Sequence, residues 1–336
     1  MTTELRQSWM KIRWVLLILA IALAGNWLFT PGFFRLILKD GHLYGSLVDI
    51  ADRAAPVMLL SLGMSLVIAT GGVDLSVGAV MAIIGSLAAK LVVELHYGFP
   101  VVLILCLIFG AALGLWNGSL VSFLGVQPIV ATLILMVAGR GIAQLLTNGQ
   151  IITFETPSFV YLGSGFFLGL PFTCTLVLVS TILVYLLVRK TALGLFIEAV
   201  GDNETASHYA GINTRLIKCF AYAISGFFAA CAGLMVASDI KAADANNAGL
   251  YVELDAILAV VLGGTALTGG RFYLVNSLVG ALLIQTLTTT ILTRGVPVEF
   301  TLVVKAMMIL MVCLAQSEQF RATVLRLFRK RHEVPA

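Results

Sequence analysis

Charged residues are scarce in this sequence. Asp, Glu, Lys and Arg make up 11% of its 336 residues, whereas 60% are hydrophobic and the mean hydropathy is +1.02. Because soluble domains carry about 25% charged residues, this composition excludes a soluble globular protein. It predicts an all-α fold, a polytopic bundle of membrane helices, since helices satisfy their own backbone in lipid. The formal net charge of +4 gives no support to nucleic-acid binding.

Cysteine and histidine are sparse as well. The five cysteines stand singly in apolar stretches without a CxxC pair or zinc-like spacing, so we expect buried hydrophobic side chains rather than a metal site or disulfide. The four histidines lie near the ends of apolar segments or in loops. Without a cluster of His, Asp, Glu or Cys at bilayer depth, a membrane-embedded enzyme is disfavoured.

The sequence also lacks a nucleotide-binding loop. Residues Gly264 to Gly270 superficially resemble one, but that motif continues with lysine and then serine or threonine. Arg271 and Phe272 follow here instead. Any ATP hydrolysis must therefore come from another subunit, and we expect no cofactor in this chain.

Apolar segments that approach the length of a membrane span recur along the chain. A spanning helix needs about 20 apolar residues. We predict a single transmembrane domain over residues 1–336 with about ten helices, some of them interrupted or re-entrant, above all within 46–95 and 252–293. The segments are 13–30, 46–70, 76–95, 99–123, 127–147, 166–189, 216–238, 252–269, 272–293 and 297–316.

The first segment resembles a signal peptide, because Ala22 and Ala24 form an A-x-A pattern. Its apolar run continues to Pro31, so we favour an uncleaved span. Lysine and arginine gather on the cytoplasmic side of membrane proteins, and this rule predicts that both termini are cytoplasmic. The predicted cytoplasmic set is Arg6, Lys11, Arg13, Arg189, Lys190, Arg215, Lys218, Arg271, Arg321, Arg326, Arg329, Lys330 and Arg331. The opposite side receives Arg35, Lys39, Lys241 and Arg294.

A lone acid interrupts the second apolar region in the sequence GGVDLSVG, residues 71–78. A charged side chain at the bilayer centre costs roughly 2.5 to 3.5 kcal/mol on insertion scales, so Asp74 should face a cavity or a partner. The flanking glycines, Gly71, Gly72 and Gly78, predict a broken helix. Residues 263–270, GGTALTGG, echo this pattern and begin with Gly263 and Gly264. The echo predicts paired helix breaks around one pathway, or else two independent turns.

Six polar residues are candidates for a transport pathway. Such a route needs donors and acceptors that bind weakly enough to release. The first choices are Asp74 and Ser76, followed by Asn117, Arg140 and Gln144, and then by Asp255. Two alternatives stay open, because Asp74 and Arg140 could form a structural ion pair and Asn117 and Gln144 could be interhelical hydrogen-bond groups.

Small residues repeat every four positions in two of the segments. Such stripes predict close helix packing. They are Gly110, Gly114 and Gly118, and Ser225, Ala229, Gly233 and Ala237.

The longest polar stretch on the predicted cytoplasmic side is 190–218. Thr191 can cap a helix that ends at Gly201, and Asp202 or Asn203 can cap a second that ends near Gly211. Glu204 suits the dipole of the second helix. Helices this short are marginal alone and need a surface to lie against. A plain surface loop remains the alternative.

Two predicted outer loops, 148–165 and 239–252, are polar enough to meet a soluble donor protein, although solvated loops explain them equally well. Their candidate contacts are Asp239, Lys241, Asp244, Asn246 and Asn247.

Four blocks of the sequence together resemble the permease subunits of sugar-specific ABC importers, of the ribose, xylose and galactose type. The resemblance covers nearly the whole chain. The blocks are GGVDLSVG at 71–78, PIVATLILMVAGRGIAQLLTNG at 128–149, EAVGDNETASHYAGIN at 198–213 and ELDAILAVVLGGTALTGGR at 253–271.

The resemblance implies a monosaccharide importer of the bacterial inner membrane that works by alternating access, and galactofuranose is the sugar it favours. It implies three protein partners: a second permease, more plausibly a related chain than a copy, an ATPase with two nucleotide-binding domains that holds ATP and Mg, and a periplasmic sugar-binding protein. Residues 190–218 would be the ATPase-coupling loop, with contacts at Glu198, Gly201, Asp202, Asn203, Glu204 and Gly211. An ion-gradient-driven secondary transporter is the alternative.

Overall fold

A computed structural model describes residues 3–295 and isolated positions between 300 and 314. Helices dominate, and six very short strands lie in the connections. The helices are α1 (Thr3–Phe29), α2 (Ser46–Ala69), α3 (Val77–Val93), α4 (Phe99–Ser122), α5 (Pro128–Leu146), α6 (Pro157–Ser164), α7 (Phe172–Lys190), α8 (Leu193–Asp202), α9 (Glu204–Tyr209), α10 (Thr214–Asp239), α11 (Val252–Leu262) and α12 (Leu274–Thr293). The strands are β1 (Ile37–Lys39), β2 (His42–Tyr44), β3 (Ile152–Thr153), β4 (Phe166–Phe167), β5 (Leu170–Pro171) and β6 (Ala242–Ala243).

Seven helices of the described part are long and apolar enough to cross a membrane: α1, α2, α4, α5, α7, α10 and α12. The all-α membrane bundle is thus confirmed, whereas the count of about ten spans is not. Helix α3 has 17 residues and α11 only 11, because α11 ends where the glycine-rich stretch begins at Gly263. The predicted 166–189 segment starts later, at Phe172, since β4 and β5 form a hairpin before it. The 297–316 segment lies largely outside the described residues.

Two helices form the centre of the bundle. In α2 and α10, 72% of the residues in the apolar stretch of the helix are buried, compared with 22% in α4 and 17% in α1. Helix α10 packs against α4, α2 and α3, and α1 packs on α12, where the Asn26 side-chain amide donates to Thr290 Oγ1 at 2.7 Å. The outer faces of α1, α4, α5 and α7 carry many of the exposed apolar side chains, as expected for helices that meet lipid or another subunit.

The glycine stripe of α4 is a close-packing surface, as predicted. A Cβ at Gly114 would lie 2.1 Å from the Tyr222 carbonyl oxygen, and one at Gly110 would lie 2.5 Å from the Ala230 Cβ. A Cβ at Gly118 would come within 2.8 Å of the Cys219 Cα. The backbones of α4 and α10 therefore touch along three turns, with no room for a side chain between them.

The helix ends define two faces of the bundle. The Arg294 guanidinium, just after α12, lies 4.2 Å from the centre of the Phe29 ring at the end of α1. The ends of α1 and α12 therefore share a face with the β1–β2 connection, which we call the hairpin face. At the other end of α2, Ala69 meets Gly201 of α8. We call that end, which carries α8 and α9, the short-helix face.

Replacing Gly114 by valine should destabilise the bundle, because the new side chain would collide with α10. Overpacking of this kind costs about 1–3 kcal/mol or more. The loss is measured as a lower melting temperature of the detergent-solubilised protein. Gly141→Ala is the matched control, since a Cβ there has nothing within 4 Å. Equal melting temperatures for the two variants would contradict the α4–α10 contact.

Candidate functional site

Asp74 is held by neutral hydrogen-bond donors in the interior. Its side chain is 1% exposed. Oδ1 accepts from the Ser76 hydroxyl at 2.6 Å and from the Ser76 backbone N–H at 3.0 Å, while Oδ2 accepts from the Ser225 hydroxyl of α10 at 2.8 Å. The Asn117 side-chain amide of α4 donates to Ser76 Oγ at 2.8 Å. These four residues, the Asp74 cluster, join the first helix break to α4 and α10.

The backbone just before Asp74 is fixed by side chains from the same direction. The Tyr222 hydroxyl of α10 donates to the Val73 carbonyl oxygen at 3.3 Å. At Gly72 the Tyr222 hydroxyl comes so close that a Cβ would lie 2.6 Å from it. Gly71 has φ +80, a left-handed conformation that glycine adopts without strain. The break is therefore a built turn, and Gly72 is required there by close contact.

Arg140 does not pair with Asp74. Within residues 3–295 no ion pair joins the two, and the Arg140 Nη1 group donates to the carbonyl oxygens of Ala245 at 3.1 Å and Ala248 at 2.6 Å. Gln144, one turn further along α5, donates to Asn246 Oδ1 at 2.8 Å. Both residues therefore fasten the 244–248 loop to α5.

The 244–248 loop is organised by Asp244. Its carboxylate accepts the Asn247 side-chain amide at 2.7 Å and the backbone N–H groups of Asn246 at 3.0 Å and Asn247 at 3.1 Å. These hydrogen bonds, that of the Asn247 side chain above all, hold the pKa of Asp244 below its ordinary value. Asp244 and Asn246 are thus engaged within the chain, and their role as contacts for a donor protein stays a prediction.

After this loop the chain re-enters the bundle and begins α11. A Cβ at Gly78 would lie 2.2 Å from the Gly249 carbonyl oxygen and 2.4 Å from Glu253 Oε2, so α3 and the re-entering segment are in direct contact. Glu253 is 4% exposed. Asp255 is half-buried in the first turn of α11. The interrupted segment predicted within 252–293 is therefore the short α11 and the glycine-rich turn behind it, which together lead from the 244–248 loop to the short-helix face.

The two glycine-rich breaks meet at the short-helix face. The Gly270 N–H donates to the Ala69 carbonyl oxygen at 2.9 Å. A Cβ at Gly201 in α8 would lie 1.7 Å from that oxygen and 2.5 Å from the Gly270 nitrogen, and one at Gly269 would lie 2.9 Å from the Gly71 nitrogen. We call Gly71, Gly201, Gly269 and Gly270 the glycine junction.

The remaining glycines of the second break lie deeper. A Cβ at Gly263 would lie 2.7 Å from the Ser277 nitrogen, so α11 and α12 approach closely there. Gly264 has φ +94. The Asn276 side-chain amide of α12 donates to the Gly263 carbonyl oxygen at 3.1 Å.

The 190–218 stretch forms two short helices, much as the sequence indicates. Asn203 Oδ1 caps α9 by accepting from the Ala206 N–H at 2.9 Å, so Asn203 rather than Asp202 is the cap. Glu204 starts α9 and pairs with Lys218 at 2.5 Å, and Glu198 of α8 pairs with Arg189 at 3.7 Å. Gly211 follows α9 with φ +87. Helix α8 packs on α7, α10 and α2, which supplies the surface that a short helix needs.

Part of this short-helix pair faces outward. Tyr209 is 85% exposed and Leu195 is 68% exposed. Asp202, Asn203 and Glu204 are exposed as well. The short-helix pair thus presents two large side chains and several polar groups to the outside.

Sequence reasoning missed several residues that shape these sites. Ser225 lies in the small-residue stripe of α10 and was interpreted only as packing, although it binds Asp74. Tyr222, which supports the first break, carried no pattern of its own. Glu253 had one available signal, because an acid at the start of an apolar segment needs a partner or a cavity, as Asp74 does.

The fold and these sites define a polytopic membrane protein with two glycine-rich helix breaks, a buried polar cluster around Asp74 and two short helices at one face of the bundle, an organisation that suits a transport permease. The chain belongs to the family described as "Branched-chain amino acid transport system / permease component", which matches residues 46–313.

Three relatives extend this assignment. The chain is 55% identical to the galactofuranose transporter permease protein of Escherichia coli, over 91% of the chain and 89% of the relative. It is 39% identical to the fructose import permease protein of Bifidobacterium longum, over 96% and 91%, respectively. It is also 39% identical to the ribose import permease protein of Bacillus subtilis, over 80% and 84%. No solved structure matches the chain.

Replacing Asp74 by alanine should lower the melting temperature of the solubilised protein. It would leave buried donors of Ser76 and Ser225 without an acceptor, at about 1–3 kcal/mol for each unsatisfied group. Asp74→Asn should lose less, because one acceptor oxygen remains. Asp49→Ala, at an exposed acid near the start of α2, is the control. If Asp74→Ala melts at the same temperature as Asp49→Ala, the Asp74 cluster does not stabilise the break.

Proposed function

We propose that this chain is one permease subunit of an ATP-driven importer that carries a monosaccharide, galactofuranose, across the bacterial inner membrane by alternating access. The sugar class is supported by the names of its relatives, which concern galactofuranose, fructose and ribose. Of these three relatives, the galactofuranose permease has the highest sequence identity to the chain, 55%, and this supports galactofuranose in particular.

The surface of α8 and α9 carries this proposal. Tyr209 and Leu195 present apolar area to the outside, and the helices beneath them are tied to the bundle by the Glu204–Lys218 and Glu198–Arg189 pairs. We assign the ATPase to this surface. Its two nucleotide-binding domains would hold ATP and Mg and act on this chain and on a second, related permease. With the short-helix face in the cytoplasm, Arg189, Lys190, Arg215 and Lys218 are cytoplasmic, and so is the amino terminus.

The glycine junction connects α8 directly to both helix breaks, so a movement of α8 would act on them. Gly201 is in backbone contact with the end of α2 and with Gly270. Arg189, which pairs with Glu198 of α8, also places its guanidinium 5.8 Å from the centre of the Phe272 ring, just after the second break. A displacement of α8 therefore cannot occur without displacing both helix breaks or opening these contacts.

We assign the sugar route to the part of the bundle where the 244–248 loop meets α5. Gln144, Asn246 and Asn247 are exposed there, Arg140 is half-buried beside the loop, and Asp255 is half-buried in the first turn of α11. Guanidinium, amide and carboxylate groups offer the donors and acceptors that sugar hydroxyls require. Asp74, Ser76 and Asn117, each at most 1% exposed, would frame the route from behind. A periplasmic binding protein would deliver the sugar at the hairpin face.

The proposal is tested by uptake of labelled galactofuranose into vesicles that contain this chain with the second permease, the ATPase and the binding protein of its own system. Tyr209→Ala should lower both ATPase co-purification and uptake about tenfold or more, as truncation of a central interface aromatic does. Tyr97→Ala, at an exposed tyrosine of the α3–α4 loop on the opposite face, should leave ATPase co-purification within about twofold of wild type.

Two outcomes would contradict the proposal. Uptake driven by an ion gradient in vesicles without the ATPase would identify a secondary transporter. ATPase binding that survives Tyr209→Ala and Leu195→Ala together would place the docking surface elsewhere.

A further inference from the structure

The hairpin face carries two small β-hairpins whose tips touch. Strands β1 and β2 pair through the two-residue turn Asp40–Gly41, and β4 and β5 pair through the turn Leu168–Gly169. The Leu43 N–H donates to the Gly169 carbonyl oxygen at 2.8 Å, and a Cβ at Gly169 would lie 2.9 Å from the Gly41 carbonyl oxygen. The two hairpins therefore form one packed unit.

Leu168 stands in an unfavourable position at the tip of the second hairpin. Both turns have positive φ at their two central residues, 54 and 78 in the first and 51 and 82 in the second. Turns of this kind prefer Asn or Asp followed by Gly, as in Asp40–Gly41, because a larger side chain is strained in the left-handed conformation. Leu168 combines that strain with 89% exposure.

The first hairpin also exposes apolar side chains, one on each of its two faces. Successive residues of a strand point to opposite faces, yet Ile37 is 47% exposed and Leu38 is 72% exposed. A docked protein would cover one face of such a strand. An apolar medium that surrounds the hairpin would cover both.

The position of the unit along the chain identifies that medium. The first hairpin lies between Phe29, the end of α1, and Ser46, the start of α2. The second hairpin ends at Pro171, immediately before α7 begins at Phe172. All three helices are membrane spans, so the hairpins lie at the membrane boundary. Arg35 and Lys39 are exposed beside the apolar residues and suit anionic headgroups.

We propose that the paired hairpins are immersed in the headgroup–acyl boundary of the leaflet at the hairpin face, with Leu168 as the inserted tip. Aliphatic side chains at this depth are buried in the acyl region while flanking cations meet lipid phosphates. The unit would fix the height of α1, α2 and α7 in the bilayer. This inference holds whatever substrate the chain carries.

The test uses the full chain in vesicles of phosphatidylethanolamine and phosphatidylglycerol. A Leu168→Cys variant is labelled with the environment-sensitive fluorophore NBD, and quenching by a shallow doxyl lipid is compared with quenching by aqueous iodide. The wild-type chain, treated identically, measures the background signal from labelling of the native cysteines. Gln150→Cys, at an exposed polar residue of the same face, is the matched control.

Insertion is expected to give doxyl quenching at position 168 about twofold or more above that at position 150, with weaker iodide quenching and a blue-shifted emission. Strong iodide quenching at 168 would overturn the proposal. Protection from both quenchers would also overturn it, because protein would then cover the tip. If Leu168→Cys fails to fold, Leu38→Cys provides the same measurement in extended backbone of the neighbouring hairpin.

Discussion

A carboxylate inside an apolar bundle must be surrounded by hydrogen-bond donors, and the rest of this structure depends on how Asp74 meets that requirement. Its donors are the Ser76 hydroxyl and N–H and the Ser225 hydroxyl, so the first helix break is fastened to α10, the most buried of the long helices together with α2. Because an unsatisfied buried carboxylate is costly in lipid, these hydrogen bonds stabilise the break in the geometry seen here. That geometry places Gly71 where the second break and α8 can reach it.

The glycine junction turns this local constraint into a link between distant parts of the chain. Four glycines allow the end of α2, the turn after α11 and the helix α8 to meet through backbone atoms, without side chains between them. Packed interfaces of this kind shift as units rather than deform continuously. In the proposed coupling, a force applied to the outer surface of α8 and α9 would be transmitted to the two breaks, and from the second break to α11 and the polar groups around Arg140. This arrangement supplies a physical route for the proposed coupling to an ATPase.

Much of the fold could be predicted from the sequence because the signals are local. Apolar length predicted the seven long helices, the spacing of Gly110, Gly114 and Gly118 predicted a close-packed face on α4, and Asn203 was one of two residues predicted to cap α9. Thr191 was expected to cap α8, but that helix starts after Ala192, which makes no side-chain capping hydrogen bond. The partners of the polar residues could not be predicted, since they depend on which helices become neighbours. Arg140 was considered a partner for Asp74, yet it binds carbonyl oxygens of a loop more than 100 positions away. The hairpins were missed because strands of two or three residues carry almost no periodic signal.

The most direct measurement is hydrogen–deuterium exchange of the Gly270 amide in the assembled transporter, with and without bound ATP. That amide donates to the Ala69 carbonyl oxygen at the centre of the glycine junction. If α8 and the two breaks move as one unit, its exchange stays slow in both states, far slower than that of the exposed Thr268 amide nearby. Exchange that becomes as fast as at Thr268 in either state would show that the junction opens, and would contradict the account.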